Sequence, residues 1–461
     1  MHSKISSYGR YSLSELTEVA RGYGVDVIFL SDNLTDTIQY GIAPLRHILW
    51  FNYSRRSVTT LGPQAYLDQI ESENRRQSEV LYVPGIEICP RFYWTGSLPD
   101  GDLVCHNHQR NLIALGVNDA KVLKKIPEVC GYVWQKNPGY MVSSRVLLVL
   151  LLMACLGMVV MPRFLAHRSP YSARQIWRSF VLGIILPLLV ICAVVNIVVS
   201  LGQSFHIYGK DEPGRYEQHT IDFLDKHNLV HYWAHPEAAD DHQFSDVPIH
   251  KLKYVPFKTL KIPFKAHTDP YPELLSLTKG YTGFGGVYED ENTLINPGSM
   301  WDEVLKQYVN GRRDAPVWCF GEMLYHYEGQ AGKKLRNVET IVWAAEKSAE
   351  ALLESLRKGH FYARENSDGQ SLVLEEWKVK QAFPAEIVFR VSSRIPSEEI
   401  RIQLVRNGEL IKEISGKTPV EFEFADDTLS RSATAYYRVV VLGRGPLKLV
   451  TNPVFISTGS R

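Results

Sequence analysis

The chain has 461 residues, room for two or three domains, with 45% hydrophobic residues and a formal net charge of +1. So even a balance gives no electrostatic reason to expect nucleic acid as a partner. Its 6 cysteines include no CxxC pair, which excludes a zinc ribbon, a thioredoxin-type motif and a dense disulfide framework.

Residues 12–24 (SLSELTEVARGYG) read as a helix, with Leu13, Leu16, Val19 and Ala20 at helical spacing and a glycine to end it. A short buried strand, VDVIFL (25–30), follows and stops at Ser31-Asp32-Asn33. The pattern recurs at 80–83 before Gly85-Ile86-Glu87, at 111–115 before Gly116, at 229–233 before Ala234-His235-Pro236, and at 317–320 before Gly321-Glu322. Helical stretches lie at 216–227 and 348–358, the latter closed by Gly359. Strands alternating with helices predict a mostly parallel sheet, and polar residues after several strand ends favour a barrel over an open sheet.

Two uncharged apolar runs, Val146–Met161 and Phe180–Leu201, interrupt this alternation. A membrane-crossing helix needs about 20 apolar residues, so the runs predict a two-helix transmembrane hairpin over 139–205, with a pair of buried core helices as the alternative. The loop between them carries Arg163, Arg168, Arg174 and Arg178 and no acid. Such loops stay in the cytoplasm, which would put the other parts on the outer side of the cytoplasmic membrane, with the lipid bilayer as partner. Export needs a signal peptide and none is visible; either a leader is missing or the loop breaks the rule.

From about residue 371 the pattern becomes all-β. Some seven strand signals with short turns, including Arg406-Asn407-Gly408-Glu409 as a type I′ hairpin, predict an immunoglobulin-like β-sandwich over 371–461.

The strand-end residues His2, Asp32, Glu87, His235 and His326 combine imidazoles with carboxylates, a donor set suited to Zn, Mn or Fe. Ions held there would activate a water and clamp an anionic oxygen. Taken singly, Asp32 is equally a helix cap, Glu87 a surface acid and His235 a buried imidazole.

The segments around these residues carry a resemblance. MHSKISSYGRYSLSELTEVARGYGVDVIFLSDN resembles the opening of the PHP (polymerase and histidinol phosphatase) family, whose members begin with His-x-His, a helix, a strand and Thr-Asp-His. VPGIEI, RNLIALGV, YWAHPEA and GEMLYH resemble its later metal-binding segments in the right order. TIVWAAEKSAEALLESLRKGHFYA and TNPVFI look like the branch of carbaryl-hydrolase-like proteins, where a β-sandwich follows the barrel.

The resemblance implies a distorted (β/α)7 barrel in two parts, 1–138 and 206–366. It implies a metal-dependent hydrolase acting on a phosphoester or related ester, with a small anionic substrate and divalent metal ions (Mn, Fe or Zn). The metal would be held by His2, Asp32, Glu87, His235 and His326, with Asp32, Glu87 and His235 as the catalytic residues. Arg91 or Arg312 and Arg313 would steer the anion. The chain departs from the pattern at Asn33 and Asn111, where the family has His, and at Leu324, where it has Asp. The first His of the opening motif would precede Met1; a chain shortened at its start would account for that and for the absent leader. His106 or His108 could stand in for Asn111 if that loop is shifted. The three departures motivate the alternative of a catalytically impaired pseudoenzyme that serves as a membrane-tethered binding or scaffold module. A transporter is disfavoured, because the two apolar runs carry no charge.

Overall fold

Capping chemistry fixes the first helix. Ser12 and Glu15 form a capping box at the start of Leu13–Tyr23, and Gly24 ends it in the left-handed region at φ 66°. Leu13, Leu16 and Ala20 face the core from one side of it. The computed structural model describes residues 1–43, 46, 50–128, 150, 153, 175, 178, 181–201, 207–208, 212–244, 263–289, 292–367, 369–429 and 434–457.

Strand Val27–Phe29 pairs in parallel with Leu81–Val83. Each continues into the central six-stranded sheet, whose spatial order is Trp318–Gly321, Gly283–Val287, Val230–Trp233, Leu112–Leu115, Gly85–Ile88 and Asp32–Asn33. Leu112–Leu115 runs antiparallel to both of its neighbours, and the remaining pairs are parallel. Among the described residues the edge strands Asp32–Asn33 and Trp318–Gly321 do not pair with each other. The expected (β/α)7 barrel is therefore overturned in favour of an open mixed sheet.

The connections supply the reason. Parallel neighbours need a crossover, usually a helix. Between Ile88 and Leu112 the chain instead makes the antiparallel pair Tyr93–Thr95 and Val104–His106, and it re-enters the sheet from the end it left. Those two strands join Phe264–Thr268 and Asp240–Phe244 in a separate four-stranded sheet.

The expected transmembrane hairpin is also overturned. Among the described residues no helix is long and apolar enough to cross a membrane. The run Phe180–Leu201 gives a π-turn, Val181–Ile185, and then an α-helix, Leu186–Leu201, of 16 residues. At a rise of ~1.5 Å per residue, that helix reaches about 24 Å, short of the ~30 Å hydrocarbon core. Pro187 has no amide hydrogen to bond the Gly183 carbonyl, so regular α-helical bonding cannot run through this point. The run Val146–Met161 lies outside the described residues except for Leu150 and Met153. The outer-side placement rested on the hairpin and falls with it.

After residue 338 the chain is almost wholly antiparallel. A seven-stranded sheet contains Val338–Val342, Phe361–Glu365, Lys448–Thr451, Thr434–Leu442, Glu399–Arg406, Glu409–Lys417 and Val454–Ser457. A three-stranded sheet contains Leu372–Lys380, Ala385–Ser393 and Val420–Asp426. Ile387, Phe389 and Val391 pack with Ile402, Leu404, Val439 and Val441 in one core between the two sheets. Asn407 and Gly408 turn the hairpin at φ 49° and 83°, as the type I′ signal predicts. Arg438 reaches out of this region to Asp302 on helix Met300–Val309, with both side chains fully buried and oxygen–nitrogen distances of 2.8 and 2.6 Å.

Candidate functional site

The central sheet delivers Asn33 and Glu87 side by side, because Asp32–Asn33 and Gly85–Ile88 pair with Asn33 opposite Glu87. Asn111 arrives from the other direction, at the start of the antiparallel strand Leu112–Leu115. Glu87 is buried, and both of its oxygens are taken. Oε2 accepts from His2 Nε2 at 3.1 Å and from Asn33 Nδ2 at 3.0 Å, and Oε1 accepts from Asn111 Nδ2 at 2.5 Å. Burial works against the Glu87 carboxylate, but the bond and charge of His2, the charge of His235 and the Asn111 amide outweigh it and hold its pKa down to about 2.

His2 uses its other ring nitrogen too, with Nδ1 3.1 Å from Ser6 Oγ. Its ring lies 5.1 Å from that of His326, and Tyr8 stacks on His326 at 5.3 Å. Burial first, and then the neighbouring His2, lower the His326 pKa to about 3, so its ring is neutral at physiological pH.

Asp32 is fully buried and serves the local backbone. Its Oδ1 accepts from Ser3 N at 2.8 Å and Ser6 N at 3.2 Å, and its Oδ2 accepts from Ser3 Oγ at 2.7 Å. It ties residues 3–6 to the sheet.

His235 follows strand Val230–Trp233 with φ 27°, an unusual conformation for a side chain-bearing residue. Glu322 holds it there: His235 N donates to Oε2 at 2.8 Å and Nδ1 stands 3.2 Å from Oε1. Burial disfavours the imidazolium, yet the Glu322 charge overrides it and raises the His235 pKa. Gly285 makes room for the pair, since a Cβ there would stand 2.0 Å from Glu322 Oε2.

The five residues singled out in the sequence thus divide. His2, Glu87 and His326 stand together, His235 sits close enough for its charge to act on Glu87, and Asp32 faces the serine loop. Glu322 was not among them; its position just after strand Trp318–Gly321 is the signal that marks it. Asn33 and Asn111, read as lost ligands, are the donors that fill Glu87.

The auxiliary candidates lie elsewhere. Arg91 is buried over the Tyr216 ring at 4.2 Å, and Arg313 donates to the carbonyls of Leu275 and Thr278 at 2.8 Å each. His106 stacks on Tyr93 and its Nε2 stands 2.7 Å from Thr95 Oγ1. His108 is 3.5 Å from Asp240 and is held neutral by burial, Arg55 and His242, with its pKa lowered to about 3. Neither histidine takes the place of Asn111 beside Glu87.

A divalent metal does not fit this arrangement. A ligating carboxylate must turn an oxygen lone pair to the ion, and the oxygens of Asp32 and Glu87 already receive three hydrogen bonds each. Asn33 and Asn111 turn their N–H groups toward Glu87, at positions where the family pattern has imidazole. Among the described residues no group of three or more His, Cys, Asp or Glu is arranged to hold a metal ion.

Next to the cluster lies a cavity of about 630 Å³. His2, Glu87, Tyr232 and Glu322 line it together with apolar side chains from the central sheet and helix Ala349–Lys358. The volume is in the range of sites that bury a drug-sized ligand. No family model, no curated protein and no solved structure matches the chain.

Proposed function

We propose that this protein is a small-molecule-binding module in which a hydrogen-bonded carboxylate cluster stands where a metal-dependent hydrolase would carry its ions. The observation that carries this reading is the saturation of Glu87 by His2, Asn33 and Asn111. A buried carboxylate with three donors is well satisfied, and a metal would have to compete with those donors for its oxygens. The adjoining cavity gives the module something to bind.

Elemental analysis of the purified chain tests the reading. A folded protein with well under one Mn, Fe or Zn per chain, and no gain in thermal stability on adding these ions, is the expected result. Stoichiometric metal that is lost on substituting Glu87→Gln would overturn it.

The phosphoester hydrolase implied by the resemblance is the second reading. What favours it is the proximity of His2, Glu87 and His326. It requires hydrolysis of a phosphoester that depends on added metal and on Glu87, and the same two measurements decide it.

A further inference from the structure

We infer that the 630 Å³ cavity takes an amphipathic small molecule with an apolar body and a hydrogen-bond-donating head, a hydroxyl or an amine, and that Tyr232 and Glu322 read the head. The inference rests on the binding-module reading and names the ligand class of that module.

One part of the cavity is apolar, although Asp26, Arg336, Glu339, Glu346, Lys347 and Arg364 also border it. Ile28, Ile113, Leu115, Phe320, Leu335 and Leu356 line it, each at most 5% exposed. These side chains come mainly from paired strands and one helix, so the walls are held by backbone hydrogen bonds and the space does not simply collapse.

The head end is defined by one unusual tyrosine. Tyr66 and Tyr82, also buried, donate their hydroxyls to the carbonyls of Gly85 and Leu13 at 2.6 and 2.8 Å. Tyr232 is 8% exposed and stacks on Phe320 with ring centroids 4.5 Å apart, yet among the described residues its hydroxyl has no hydrogen-bond partner. A phenol hidden from bulk solvent normally finds a partner. Tyr232 lines the cavity, and the charges of Glu322 and Glu87 both act on its hydroxyl. It is oriented by packing and left for a ligand.

The two carboxylates set the sign of that ligand. Glu87 already accepts from three donors, on both of its oxygens. Each Glu322 oxygen accepts one bond from His235, and a carboxylate offers about four lone-pair sites in all. A donating head can therefore bond Glu322 without displacing His235; a hydroxyl can accept from Tyr232 as well, whereas an ammonium can only donate, to Glu322 or to the Tyr232 oxygen. A carboxylate or phosphate head beside Tyr232 would meet two like charges in a poorly solvated space, and the cations on the lining are engaged elsewhere, Arg336 and Arg364 with Glu339 and Lys347 with the carbonyls of Ser78 and Glu79.

The test uses the full chain after chelation and dialysis, titrated by calorimetry with decanol, decylamine and decanoate. One equivalent of decanol or decylamine is expected to bind at least tenfold more tightly than decanoate. Glu322→Gln should shrink that preference to under threefold, and Tyr232→Phe should weaken decanol at least threefold while leaving the thermal midpoint unchanged or higher. Leu356→Trp, or the milder Leu356→Phe if the first does not fold, should weaken all three probes alike by filling the apolar body. Equal or tighter binding of decanoate, no saturable binding of any probe, an unchanged preference in Glu322→Gln, or unchanged decanol binding in Tyr232→Phe would overturn the inference. Finding bound metal before chelation would overturn the binding-module reading alone, since the probes are titrated into metal-free protein.

Discussion

Glu87→Gln keeps the shape of the side chain and removes its charge, and its cost can be worked from the site. Three donors converge on two oxygens, and Gln offers one oxygen and an amide whose hydrogens face either Asn111 or the His2–Asn33 side. The carboxylate titrates at about 2 in place of its ordinary 4.5. At ~1.36 kcal/mol per pKa unit, that depression amounts to about 3 kcal/mol of folding stability at neutral pH. Because the folded value lies below the unfolded one, the contribution is complete above the unfolded value and disappears as pH falls through the folded one. Urea unfolding of both proteins at pH 7 and pH 3 should therefore show a difference of about 3 kcal/mol that shrinks by roughly half or more on acidification. The difference should be the same with and without a chelator. A gap below ~0.5 kcal/mol, the range of ordinary surface substitutions, or one that does not change with pH, would refute the account of Glu87 as a saturated, charged hub.

The same reasoning reaches other groups. His326 is held neutral with its pKa at about 3 against an ordinary 6.5, so the native state is penalised as pH falls between those values, by ~1.36 kcal/mol per unit at most. His326→Gln should therefore lose less stability than the parent chain between pH 6 and pH 4 in urea unfolding. Gly285→Ala would push Glu322 off His235, and the His235 imidazole should then titrate lower, as read by NMR; an unchanged titration would show that Glu322 is not what raises it. Asp302→Ala strands the fully buried Arg438 and should cost about 3–5 kcal/mol in urea unfolding, while a paired apolar replacement of both recovers most of the loss.

Local structure was largely legible in the sequence. The helix read at 12–24 is Leu13–Tyr23 with its Ser12 and Gly24 caps, and those read at 216–227 and 348–358 are Arg215–Lys226 and Ala349–Lys358. These are segments where amphipathic spacing and capping residues agree. Strand direction was not legible. LIAL at 112–115 is apolar at every position, and such a run looks the same whichever way it lies in a buried sheet. Its direction depends on the hairpin that precedes it, and that hairpin carries too few residues to stand out. The apolar run at 180–201 misled for a related reason: composition records hydropathy, whereas the π-turn at Val181–Ile185 and Pro187 limit how far one regular helix extends. In the site, the ionisable residues were found by their place after strands. In the sequence, Asn33 and Asn111 stand out only as departures from a metal-ligand pattern. Their value as donors to Glu87 appears once the strands are set side by side.

The reversed strand also bears on how the polypeptide could be divided. Leu115 lies opposite Val230, so two adjacent sheet positions are joined by a long excursion that departs and comes back at a single edge of the layer. The entropic toll of closing such an excursion rises only with the logarithm of its length, so the pairing is nearly indifferent to how much chain is spliced into it. Two separately expressed pieces broken inside that excursion would each carry an unsatisfied strand complementary to the other, which makes the molecule a natural candidate for reconstitution from halves.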